Sequence, residues 1–339
     1  MNLELLLDNL LSPPILFFAL GVLAARVGSD LEVPPAISRL FSLYLLWAIG
    51  FKGGVALREA GAGLDTALPL LAALGLSVLT TLVLAPLLAR RLGTADACAL
   101  AAAYGSVSVT TFVTAANFIE GLEIAYGGQM VAALALMEAP PIVAAIILHR
   151  RLARRPGAGI GGVGPGPGPV TAEEAGAATV GLGAVIRHAL VSGPVFLLVG
   201  SLVAGVLTGP VGAEPLQPFL EDVFKGVLVL FLLDAGLVAG GRLEALRRAG
   251  PLAVIAGIAL PLAGAAVALP VAMLLGLAPG DAFLLMILAA SASYIAVPAA
   301  MTDAIPDADP GLYLPMAIAV TFPFNVCLGI PLYLAAVQA

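Results

Sequence analysis

Uninterrupted apolar runs of about 20 residues recur from one end of this chain to the other, separated by short segments of Gly, Pro and charge. A run of that length in contact with lipid must satisfy its own backbone, which means a helix or a closed barrel. A membrane barrel would alternate apolar and polar residues with period two, and these runs are continuous. Ten can be drawn: 12–28, 35–57, 66–89, 97–120, 127–149, 189–208, 219–241, 250–276, 282–303 and 311–336. Composition closes the remaining routes. Only 11% of residues are charged, against roughly 25% in soluble proteins, and mean hydropathy is +1.09. A soluble enzyme, a nucleic-acid binder and a disordered chain are excluded. The expected fold class is an all-α polytopic membrane protein of about ten transmembrane helices.

Charge placement orients the runs. Residues 149–176, HRRLARRPGAGIGGVGPGPGPVTAEEAG, begin basic and turn Gly/Pro-rich, a composition that reads as a linker. It divides the chain into a first five-helix repeat at 1–149, a linker at 150–187 and a second repeat at 188–339. With the linker in the cytoplasm, Arg26, Arg39, Arg90, Arg91, Arg150, Arg151, Arg154, Arg155, Arg187, Arg242, Arg247 and Arg248 are all cytoplasmic, 12 of 15 basic residues. By the positive-inside rule both termini then face out of the cell (inner) membrane. The N-terminal stretch lacks the basic segment of a secretory signal peptide. Cys98 and Cys327 sit inside apolar runs as small hydrophobes, and His149 and His188 flank the linker, so neither a metal nor a cofactor is expected.

The two halves carry matching signals. A shift of 185 residues lays Asp96-Ala97 on Asp281-Ala282 and Ser106-Val107-Ser108 on Ser291-Ala292-Ser293. Ser12-Pro13-Pro14 opens the first run and Ser192-Gly193-Pro194 the sixth, while GFKGGVALRE (50–59) and GLVAGGRLE (236–244) close the second and seventh. An odd number of spans per copy inverts the second copy in the bilayer, the plan of many secondary transporters. Gly, Ala and Leu bias is the competing explanation.

The fourth and ninth runs carry small, hydroxyl-rich centres, Tyr104 to Thr111 and Ser291 to Pro298, which predict broken helices at equivalent places. Irregular backbone at membrane depth is tolerated only where it is buried or lines a cavity. Half-helix N-termini suit an anion and half-helix carbonyls suit Na⁺. Ser106, Ser108, Ser291 and Ser293 add hydroxyls, although Ser and Thr also serve helix–helix packing.

Three charges stand out inside runs: Lys52, Glu138 and Asp234. Each costs about 2.5–3.5 kcal/mol at a helix centre, so each needs a cavity or a partner. Glu138 precedes Pro140-Pro141 near the midplane, and Asn325 falls at the matching depth of the tenth run. An ion-coupling role for these four competes with a buried Lys–carboxylate pair that merely holds helices. The Gly50, Gly53, Gly54 and Gly236, Gly240, Gly241 clusters have no Gly-Lys-Ser/Thr after them and read as close helix contacts rather than phosphate loops. Energy is therefore expected from an ion gradient.

SPPILFFALGVLAA (12–25), PPAISRLFSLYLLWAIGFKGGVALREA (34–60), GSVSVTTFVTAANFIE (105–120) and AASASYIAVPAAMTDAIPDADPGLYL (289–314) together resemble the sodium-dependent bicarbonate transporters of cyanobacteria and their wider bacterial relatives. The resemblance covers both halves. It implies ten spans in an inverted repeat, a homotrimer, Na⁺-coupled bicarbonate uptake by an elevator-type movement, and a PII-like regulator on the cytoplasmic face. It places the substrate at Gly105, Ser106, Ser108, Thr110, Thr111, Ser291 and Ser293, with Tyr294 standing where the family motif has a carboxylate. Two further readings stay open: a proton-coupled carrier or exchanger using Glu138 or Asp234, and a non-transporting anion sensor. An intramembrane enzyme lacks a nucleophile–base pair, because both histidines flank the linker.

Overall fold

A computed structural model describes residues 3–61, 63–153 and 193–339. Most of the expected linker, with Arg154, Arg155, Arg187 and His188, lies outside the described residues, as do the first residues of the expected sixth run. All regular structure among the described residues is helical. A short α1 (Leu3–Leu10), absent from the expectation, precedes α2 (Pro13–Val27), α3 (Pro35–Ala60) and α4 (Leu64–Leu92). The fourth run is two helices, α5 (Thr94–Gly105) and α6 (Val109–Gly121), and the fifth is also two, α7 (Gly128–Leu136) and α8 (Pro140–Ala153). Then come α9 (Gly193–Ala213), α10 (Gln217–Leu220), α11 (Asp222–Ala249) and α12 (Pro251–Leu274). The ninth run is α13 (Pro279–Ala289) and α14 (Ala296–Ala304). The last, α15 (Pro310–Gln338), is continuous but contains π-helical stretches at Ala317–Thr321 and Asn325–Gly329.

Among the described residues eight helical segments are long and apolar enough to cross a membrane, and Pro13–Val27 and Pro279–Ala289 are shorter apolar helices. The chain is thus a polytopic all-α membrane protein. Local chemistry explains the boundaries. Pro13, Pro35, Pro140, Pro251, Pro279 and Pro310 each open a helix, where the missing N–H has no partner to lose. Gly28 ends α2 in the left-handed region (φ 71°), which a side chain would strain.

Two helix pairs pack most intimately: α2 with α11 and α3 with α9. Between apolar helices in lipid there is little hydrophobic drive, so close backbone approach has to supply the attraction. A Cβ on Gly21 would lie 2.2 Å from Leu233 O, and one on Gly236 would lie 2.2 Å from Phe18 O. In the second pair, a Cβ on Gly54 would meet Leu202 O at 2.0 Å and one on Gly205 would meet Phe51 O at 2.2 Å. The expected glycine contacts are therefore present, with one exception: Gly241 faces open space.

The other helices surround the broken fourth run. Its apolar window is 94% buried, against 28% for those of Leu64–Leu92, Gly193–Leu220 and Pro251–Leu274. The broken run is therefore the core, and those three are the rim. Leu71, Leu79, Leu87, Ile255 and Val267 project from the rim, a surface that suits acyl chains rather than water.

Candidate functional site

The fourth run breaks because Ser106 turns extended (φ −83°, ψ −178°) after Gly105 and Ser108 restarts the helix as N-cap of α6. Ser108 Oγ accepts from the Thr111 N–H at 3.2 Å and from Thr111 Oγ1 at 3.0 Å. That is the usual Ser cap, satisfying one of the orphan donors of a helix start. The ninth run breaks over residues 290–295. There Ser291 Oγ donates to Leu288 O at 3.0 Å, and the Val297 N–H reaches Ser293 Oγ at 3.4 Å.

The two breaks cross and bond to each other. The Ser108 N–H donates to Ser291 Oγ at 3.0 Å, and the Ser293 N–H donates to Ala103 O at 2.8 Å. Tyr294 Oη donates to Thr110 Oγ1. Ser106, Ser108, Thr110, Thr111, Ser291 and Ser293 are all at most 4% exposed. In so dry a place an unpaired hydroxyl or amide costs about 1–3 kcal/mol, so the crossing is held by mutual satisfaction. The hydroxyls named from the sequence are thus brought together from two halves of the chain.

Gly105 acts differently. A Cβ there would lie 2.1 Å from Thr81 Oγ1, so this glycine lets α5 close on α4. Thr81 Oγ1 itself reaches Ala101 O at 3.3 Å.

Each break is supported by the run that follows it. The fifth run, read from sequence as kinked at Pro140-Pro141, is fully interrupted by a turn at residues 137–139. Ser106 Oγ donates to the freed Glu138 carbonyl at 3.0 Å. The Glu138 side chain is buried and its carboxylate has no hydrogen bond or ion pair among the described residues. On the other side, Asn325 Nδ2 donates to Ala290 O at 2.8 Å, and Asn325 Oδ1 accepts from Tyr333 Oη at 3.0 Å. Tyr104 Oη and Thr321 Oγ1 lie 2.7 Å apart, and Thr321 Oγ1 donates to Gly257 O.

The remaining two charges take different partners. Asp234 Oδ2 accepts from Ser38 Oγ, joining α11 to the start of α3. Lys52 Nζ pairs with Glu120 Oε1 at 2.7 Å and lies 5.8 Å from the centroid of the Phe224 ring. Tyr126 Oη also donates to Glu120 Oε1, at 2.8 Å. Burial, with the Glu120 charge second, holds the Tyr126 phenol well above its usual range and keeps it a donor. Lys52 and Asp234 therefore do not form the Lys–carboxylate pair with each other; each bonds elsewhere.

Two carboxylates carry contacts that the sequence reading did not assign. Asp281 accepts from the Gly127 N–H at 2.7 Å and from Gln129 Nε2 at 2.8 Å. Asp96 Oδ1 accepts from the Asp309 N–H at 2.7 Å. Each starts a broken run and latches the residue before the following run of the other half. The shared 185-residue offset of Asp96 and Asp281 was the available signal.

Ring contacts tie the second break to the rest of the bundle. Tyr294 and Phe322 centroids lie 5.8 Å apart, and Phe322 and Phe18 centroids 5.4 Å apart, both edge-on. Such pairs favour a defined ring arrangement. Hence the crossing is packed against α15 and, through it, α2.

No curated protein matches the chain. The family model of the Na⁺-dependent bicarbonate transporter superfamily does, over residues 13–338. A match of that extent takes in both broken runs and both glycine-packed pairs, and the chain belongs to the Na⁺-dependent bicarbonate transporter superfamily, as a multi-pass permease rather than an enzyme.

Proposed function

We propose that this protein takes up bicarbonate, or an inorganic anion of similar size and charge, together with Na⁺, at the crossing of the two breaks. The observation that carries the reading is the reciprocal pairing of Ser108 N–H with Ser291 Oγ and Ser293 N–H with Ala103 O. It brings the buried start of α6, with its partial positive charge, against the segment that leads into α14. Ser106, Ser108, Thr110, Thr111, Ser291, Ser293 and Tyr294 supply hydroxyls to an anion there. Gly105 permits the packing behind them. Carbonyls freed at the breaks, with Glu138, Asp234 and Asn325, are the oxygen donors nearest in kind to what Na⁺ prefers, and Lys52 takes the part of an ion-paired support.

The same reading makes 1–149 and 188–339 an inverted repeat. Exchanging the first run for the sixth and the second for the seventh turns the α2–α11 pair into the α3–α9 pair. The Asp96 and Asp281 latches exchange in the same way. Helices α2, α3, α9 and α11 then form a scaffold past which the unit holding the breaks moves as an elevator. The placement of Arg26, Arg90, Arg91, Arg150, Arg247 and Arg248 in last turns supports an inner-membrane protein with both termini outside. A homotrimer and a PII-like regulator at the linker complete the proposal and rest on the family likeness.

Purified protein in liposomes, given labelled bicarbonate with and without an inward Na⁺ gradient, tests the reading. Sodium-stimulated uptake is the expected outcome, and its absence overturns it. Proton coupling is the second reading, favoured by the Glu138 carboxylate, which has no partner among the described residues. It requires uptake driven by an inward proton gradient without Na⁺ and abolished by Glu138→Gln.

A further inference from the structure

A groove of about 390 Å³ opens at the end of the bundle where the arginines gather, between the ends of α2 and α11 and the start of α12. Arg26 from α2 and Arg247 from α11 line it together with the apolar side chains Leu243, Leu246 and Val254. Gly250, in the left-handed region (φ 83°), and Pro251 form its end and begin the 24-residue helix α12. Among the described residues no acidic side chain lines it. Among the described residues neither arginine has an ion pair, whereas Lys52 pairs with Glu120 and Arg248 with Glu244. Two guanidinium groups and a helix N-terminus thus share one groove with no balancing anion among the described residues that line it.

We infer that this groove holds the phosphodiester headgroup of an acidic phospholipid. Arg26 and Arg247 supply the planar donor forks that match phosphate oxygens. The walls favour a lipid over free phosphate. Leu243, Leu246 and Val254 are apolar, and the adjoining surface continues outward through Val27 (69% exposed), Leu252 (61%) and Ile255 (62%). An acyl chain has a bed along those residues; inorganic phosphate gains nothing from them. Basic pockets between transmembrane helices are the usual place for such headgroups. A lipid seated here bridges α2 and α11 to α12 across the Gly250 turn, so its binding stabilises the folded chain by mass action. The site stands independently of what the protein transports.

The test uses the full chain in neutral detergent, with thermal unfolding and native mass spectrometry as readouts. Phosphatidylglycerol in mixed micelles is expected to raise the unfolding temperature and to leave a retained lipid adduct. Phosphatidylcholine and inorganic phosphate at equal concentration are expected to do neither. The Arg26→Gln/Arg247→Gln double variant should bind phosphatidylglycerol roughly 30-fold more weakly, which is about 2 kcal/mol at 1.4 kcal/mol per tenfold. Arg248→Gln, whose partner is Glu244 on its own helix, should bind as the unaltered protein does. Equal stabilisation by phosphatidylcholine, equal binding of inorganic phosphate, or an unweakened double variant would each overturn the site. All readouts are binding readouts, so failure of the transport assay leaves this result unaffected.

Discussion

Ser108 does three jobs with one residue. Its hydroxyl caps α6 through the Thr111 N–H and accepts from Thr111 Oγ1, while its own N–H holds Ser291 of the other break. Ser108→Ala removes the first two and keeps the third. We expect roughly a fivefold rise in the KM of uptake, from a loss of about 1 kcal/mol; unchanged KM would remove this hydroxyl from the site. Lys52 gives the opposite expectation. Its bridge to Glu120 is about a quarter to a third exposed (26% and 31%), so solvent screening holds its worth to about 1 kcal/mol or less. Lys52→Met should lower the unfolding temperature slightly and leave Na⁺ dependence intact; lost Na⁺ dependence would make Lys52 part of coupling. The paired serines were legible in sequence because hydroxyl-rich centres stand out in apolar runs. The Glu120 partner was not, because it lies 68 residues away and only packing brings it near.

Helix pairing rests on a few glycines whose exchange has predictable consequences. Gly236→Val would push a side chain into Phe18 O, which is backbone and cannot rotate away. The α2–α11 pair should then loosen at a cost of about 1–3 kcal/mol or more, seen as a lower unfolding temperature in detergent. Gly241→Ala, with nothing within 4 Å, should be close to neutral. Equal effects from the two would refute close approach as the reason for the cluster. Run positions followed from hydropathy, and each expected run overlaps a helix or a pair of broken helices among the described residues. The interruption at 137–139 was only half visible. Two prolines announced a kink, but whether the turn opens fully depends on something to donate to the freed carbonyl, and that is Ser106 from the break of the fourth run.

Across the whole molecule, the two carboxylate latches connect the halves. Asp281 is buried and accepts two hydrogen bonds, while Asp96 accepts one in a more exposed place. Asp281→Ala should therefore destabilise more than Asp96→Ala, by about 1 kcal/mol or more, since it strands buried donors. Comparable thermal shifts for the two would show that the buried Asp281 bonds add no extra stability. The two latching carboxylates are themselves 185 residues apart, and each accepts from the residue before a helix of the other half.

What the chain dictates on its own is additive along its length. Transfer of apolar residues into lipid and the avoidance of buried charge place the helices and gather the arginines at their ends. Small hydroxyl-rich or proline-rich stretches mark where a helix weakens. Which broken ends meet is a different kind of property. Ser108 and Ser291 stand 183 residues apart, and their hydrogen bond exists only once α5, α6, α13 and α14 are packed. The same holds for Lys52 with Glu120, for Asn325 with Ala290, and for the two arginines that share a groove. The Ser108–Ser291 and Asn325–Ala290 bonds satisfy polar groups in a dry interior, where the alternative is an unpaired donor. Their choice is set by three-dimensional proximity, which no local pattern encodes.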